Sequence, residues 1–117
     1  MLNQVIVVGR LVADPEVKKL ESGKEVTNVT LAVNRPYKNA EGVYETDFID
    51  CVLWEAIALN TAEYCRKGDV VGIRGRLETN TIEQEDGIKK KYTNVIAEKV
   101  TFLSSKPKED IEKEKQE

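Results

Sequence analysis

The stretch Phe48 to Asp69, FIDCVLWEAIALNTAEYCRKGD, changes its hydrophobic period part-way along. At strand spacing Ile49, Cys51 and Leu53 fall on one side, and Phe48, Val52 and Trp54 on the other. Both sides are apolar, and the large rings share one of them. From Glu55 the spacing becomes that of a short helix, with Ala58, Leu59, Ala62 and Cys65 as its stripe and Lys67-Gly68 as its stop. A buried helix between strands is ordinary; a strand with large aromatics on its second face is less so. That face must pack against something, and the flanking segments narrow the choice.

Upstream, Gln4 to Val12 (QVIVVGRLV) is a near-continuous apolar run, which suggests a strand buried on both faces with a kink or bulge at Gly9. Asp14-Pro15 punctuates it, and Glu16 to Leu20 is a short extension into the turn Glu21-Ser22-Gly23-Lys24. Val26 to Asn34 alternates, with Val29, Leu31 and Val33 on one face and Thr30, Ala32 and Asn34 on the other. The small residues of that second face leave room for something flat and large. Arg35 to Tyr44 is a polar loop with turn residues Pro36, Asn39 and Gly42, joining two antiparallel strands as a long hairpin.

Downstream, Val70 to Glu78 places Val71, Ile73 and Leu77 inward and Arg74 and Arg76 outward. A second long hairpin follows over Thr79 to Lys91, turning near Glu85-Asp86-Gly87, and Tyr92 to Leu103 supplies the last strand. The order is three strands, a helix, then two strands. It is the order of the OB-fold, an all-β, five-stranded Greek-key barrel with one short helix between strands 3 and 4 and two long hairpins. Its strands 2 and 3, with the loops joining 1–2 and 4–5, are the usual oligonucleotide surface. From Ser104 the composition changes to SSKPKEDIEKEKQE, where Ile111 alone is apolar. One domain over residues 1–103 is therefore expected, followed by a disordered charged tail over 104–117. A short solvated helix over Glu109 to Gln116 is the competing reading of that tail.

The bulk numbers restrict function. The chain has 117 residues, 40% hydrophobic and 33% charged, the balance of one soluble globular domain. No stretch is long and apolar enough to span a bilayer, and Met1-Leu2-Asn3 leads straight into a strand, so a cytoplasmic protein with no membrane partner is expected. There is no histidine, and two cysteines cannot build a zinc site alone. No metal, cofactor or catalytic role is expected. Cys51 and Cys65 read as small buried hydrophobes, and a disulfide between them is not expected in a reducing compartment. The net charge of −3 argues against a simple basic nucleic-acid binder.

With these residues placed, the sequence resembles the bacterial single-stranded DNA-binding protein family. The likeness lies in Leu2-Asn3 through Val8-Gly9-Arg10-Leu11, Asp14-Pro15-Glu16, Thr30 to Arg35, Asp47-Phe48-Ile49, Ala62-Glu63-Tyr64, Lys67-Gly68 and Gly75-Arg76-Leu77. The wording of Thr30 to Arg35 and Asp47 to Val52 is nearest to forms from low-GC Gram-positive bacteria. The resemblance implies an OB domain that assembles as a homotetramer and binds single-stranded DNA without reading sequence, in replication, recombination or repair.

The same resemblance assigns base-stacking positions to Tyr37, Phe48 and Trp54. Where a further ring is usual, this chain has Ile82, which offers apolar contact without a ring face. Asp50 and Ala56 stand where relatives carry cations, whereas Lys67 keeps its basic character. Arg35 and Lys38 flank Tyr37 as candidate phosphate contacts, and Lys89 to Lys91 form a second basic cluster. Each residue has a plainer reading. Trp54 could fill core at the helix start, Phe48 could be buried by a register slip, Tyr64 is structural, and the charges could be solvated. Arg74 and Arg76 suit a subunit interface as readily as DNA. Relatives that recruit replication and repair enzymes end in an acidic tip closing on an apolar residue. This chain ends Glu114-Lys115-Gln116-Glu117, which argues against recruitment by that route. The rival functional reading is an OB-fold adaptor of primosomal type that holds a protein partner, with an enzyme a distant third.

Overall fold

Leu31, Leu53 and Val71 are fully enclosed, and the three strands that carry them belong to one closed barrel. The computed structural model describes residues 1–104. Its elements are β1 (Val5–Leu11), β2 (Lys18–Lys19), β3 (Glu25–Lys38), β4 (Tyr44–Trp54), α1 (Glu55–Tyr64), β5 (Val70–Glu83) and β6 (Lys89–Phe102). Hydrogen-bonded neighbours run β1-β5-β6-β4-β3, and the ring closes where Arg10 and Leu11 of β1 pair with Ala32 and Leu31 of β3. All pairings are antiparallel except β4 with β6, where Cys51 and Val52 lie beside Val95 and Ile96. This is the five-stranded OB barrel, with the helix after its third strand. The expected extension after Pro15 is the two-residue β2, a fringe on the start of β3.

Alternation fills the barrel. Val29 and Leu31 from β3, Cys51 and Leu53 from β4, and Val71 and Ile73 from β5 all point inward and are buried. Burying an aliphatic side chain of this size contributes roughly 1.5–3 kcal/mol, so these residues dominate the stability of the fold. Two glycines let strands pass closely. A Cβ on Gly9 would stand 2.7 Å from the Ala32 carbonyl oxygen, and one on Gly75 only 2.0 Å from that of Ile96. The bulge expected at Gly9 is absent, since β1 pairs with β5 in unbroken register through it. The register shift falls instead at Arg74/Gly75, where β6 carries the extra residue.

Three further expectations need correction. Leu59 is exposed; the buried face of α1 is Ala58 and Thr61, followed by Cys65, spaced three and four apart. Leu59 lies one residue, and so about 100° of helix rotation, from Ala58. Leu77 is exposed as well: β5 stops pairing with β1 at Gly75, and at Leu77 the Asn3 side chain holds its backbone on that side in place of a strand. Finally, the polar loop expected over Arg35 to Tyr44 is largely strand. β3 continues through Lys38, and the turn proper is closed by Asn39 N–H donating to the Val43 carbonyl. The β5–β6 arm turns in the same way between Gln84 and Ile88. The expected tail lies outside the described residues from 105 onward.

Candidate nucleic-acid interface

The outward side of β4 carries Phe48, Asp50, Val52 and Trp54 in the alternate positions, opposite Ala32, Thr30, Asn28 and Val26 of β3. Phe48 is 67% exposed, and Ala32 beside it leaves its ring uncovered. Trp54 is 36% exposed, and it is the residue before the helix. Its neighbour Glu55 has φ 52, a left-handed conformation that strains a residue with a Cβ. That turn redirects the chain from strand to helix directly after Trp54. Neither Phe48 nor Trp54 belongs to the core cluster.

Beyond the barrel the β3–β4 arm carries Tyr37, 63% exposed. The arm also presents Tyr44, with Lys38 Nζ standing 5.6 Å from its ring centre. The β5–β6 arm repeats the pattern: Ile82 is 55% exposed and pairs with Lys90, whose Nζ lies 5.3 Å from the ring centre of Tyr92. Cations at this distance from ring faces are held by the ring quadrupole while leaving their other donors to solvent. Tyr44 and Tyr92 were not singled out from sequence. The signal existed for Tyr44, since period two places it on the side of Phe48.

Arg35 is engaged elsewhere. Its guanidinium forms an ion pair with Asp47 and reaches Glu45 with Nη1. The hydrogen bond to Asp47 is the main reason its pKa is raised, and the same bond holds the Asp47 carboxyl below its ordinary range. A register shift between Asn34 and Lys38 makes the arrangement possible: four steps along β3 answer two along β4, from Thr46 to Tyr44. Arg35 is therefore a brace of the arm. Lys67 belongs to another region, the α1–β5 loop. Its backbone N–H donates to Asp14 Oδ1 at 2.7 Å, and Gly68 is tied to Leu11 of β1. The structure thus gathers Phe48 and Trp54 on one strand, Tyr37 and Lys38 on the arm that extends it, and Ile82 on the second arm. Among the described residues no cluster of three metal-ligating side chains occurs, and no helix is long and apolar enough to cross a membrane.

A row of exposed rings leading onto arms that carry cations is the kind of surface on which unpaired nucleotides stack. The model of the single-strand binding protein family matches residues 2–103. The chain belongs to that family. Among its relatives, single-stranded DNA-binding protein B of Bacillus subtilis is 48% identical over 109 residues, covering 93% of this chain and 96% of the relative. Single-stranded DNA-binding protein 3 of Listeria innocua is 46% identical over 106 residues, and the single-stranded DNA-binding protein of Halalkalibacterium halodurans 47% over 103. The chain spans 66% and 61% of the lengths of those two. The single-strand binding family is thus the one the residues themselves suggested.

Proposed function

We propose that this chain binds single-stranded DNA without catalysis, protecting it and keeping it from pairing during replication, recombination or repair. The observation that carries the reading is the exposure of Phe48 and Trp54 along one face of β4, with Tyr37 exposed on the adjoining arm. Every base has a face that can lie on a ring, so such a surface tolerates any sequence, at ~1–3 kcal/mol per stacked base. Lys38 and Lys90 are candidates for the adjacent phosphates, and Lys67 and the other lysines of the second arm for more distant ones. Ile82 adds apolar contact on that arm. Since the chain is acidic overall, stacking carries a large share of the affinity.

The reading includes self-association to a homotetramer in the cytoplasm. Ile6 and Val8 of β1 and Leu103 just after β6 expose apolar side chains around Gly72, and such a patch favours a second copy. Four linked surfaces would turn later contacts with one strand into intramolecular ones. The test is competition: labelled oligo(dT) bound by the protein should be displaced by unlabelled oligo(dT) and not by an equal mass of duplex. Displacement by both alike, or no binding, would remove the proposal. Light scattering should give the mass of four chains.

A further inference from the structure

The outward row of β4 contains one charged side chain, Asp50, between the exposed rings of Phe48 and Trp54. Asp50 and Thr30 are direct partners across the β3–β4 pair, and the Thr30 hydroxyl donates to Asp50 Oδ1 at 2.8 Å. Among the described residues no cation lies within ion-pair distance of Asp50. One oxygen is thereby oriented, and Asp50 as a whole stays exposed, two residues along β4 from Phe48. Alternate residues of a strand stand roughly 7 Å apart, so a base lying on Phe48 brings its edge to the Asp50 carboxylate.

A carboxylate only accepts hydrogen bonds. Cytosine, adenine and guanine each offer an exocyclic amino group, whereas thymine offers one ring N–H flanked by two carbonyl oxygens. Guanine adds its N1–H beside the amino group, and cytosine and adenine offer the amino group alone, so each of the three gives a carboxylate a donor that thymine lacks. Building on the single-stranded DNA reading, we infer that Asp50, oriented by Thr30, selects amino-bearing bases over thymine at one subsite of an otherwise sequence-tolerant surface. The carboxylate also repels phosphates, which keeps the sugar–phosphate chain towards the rim and the base edges towards β4.

The test compares fluorescein-labelled oligo(dC) and oligo(dT) of equal length by anisotropy, in wild-type protein, Asp50→Asn and Thr30→Val. Intrinsic differences between the two strands cancel when variant is divided by wild type, and so does any general relief of phosphate repulsion. The ratio of dT affinity to dC affinity should rise on the order of fivefold in Asp50→Asn, the size of one partly exposed charge-assisted hydrogen bond. It should rise by less in Thr30→Val, which keeps the charge and loses its orientation. Equal gains on both strands, with the ratio unchanged, would overturn the inference and leave DNA binding standing. Failure of the wild-type protein to bind either strand would overturn both.

Discussion

Arg35 grips Asp47 through both carboxylate oxygens, with Nε at 3.1 and 3.3 Å and Nη2 at 3.0 Å from Oδ1. A guanidinium so engaged, and further held by Glu45, has little left to offer a phosphate. The cation adjacent to Tyr37 that remains available is Lys38. In the slope of log affinity against log salt for oligo(dT), Arg35→Gln should therefore leave the slope unchanged. Lys38→Gln should reduce its magnitude by about 0.7, the value for one phosphate contact on a single strand. A reduced slope in Arg35→Gln would mean that Arg35 exchanges its carboxylates for DNA.

The exposed rings make a second prediction. Phe48 and Tyr37 stand outside the core cluster, so truncating them removes stacking surface and leaves the barrel intact. Each of Phe48→Ala and Tyr37→Ala should weaken oligo(dT) binding by ~1–3 kcal/mol while leaving the thermal midpoint near that of the wild type. Either variant melting well below the wild-type protein would show that the ring is structural.

Glu55 supplies a third. Its φ of 52 is a left-handed conformation that costs a residue bearing a Cβ roughly 1–2 kcal/mol. Glu55→Gly should raise stability by about 0.5–1 kcal/mol in urea unfolding, after the entropy of the unfolded glycine is counted. Glu55→Ala should give no such gain. Equal effects from both substitutions would place the cause in the side chain rather than the backbone.

Cys51 connects burial to pH. Removal from water pushes its thiol up to about 12, with the Asp50 charge adding to the shift. The unfolded thiol ionises first, so this contribution is fully present below the ordinary thiol range and is lost as pH rises towards 12. Stability should fall progressively above about pH 9. At pH 8, iodoacetamide should modify Cys51 in denaturant and spare it in buffer. Rapid modification of the folded protein would contradict the buried, protonated thiol.

Local periodicity made the face of β4 legible: once Ile49, Cys51 and Leu53 were inside, Phe48 and Trp54 had to be outside. The strand order and the position of the helix followed from similar patterns. What escaped were features fixed by partners distant in sequence. Arg35 looked like a loop cation because Asp47, twelve residues on, reaches it only through the register shift in β3. Thr30 and Asp50 meet only once the β3–β4 register is known. Leu77 keeps its inward parity, yet it sits past the point where β5 stops pairing with β1, and no local pattern marks that point. The left-handed turn at Glu55 has no signature in a glutamate.

The central claim is that uncovered rings on β4 receive unpaired bases, and Trp54, the single tryptophan, reports on it directly. Titrating oligo(dT) at low salt should quench its fluorescence strongly and saturably, with far less change on adding duplex of the same length. An emission spectrum that stays unchanged through saturating oligo(dT), under conditions where the strand is bound, would show that DNA lies elsewhere on the protein.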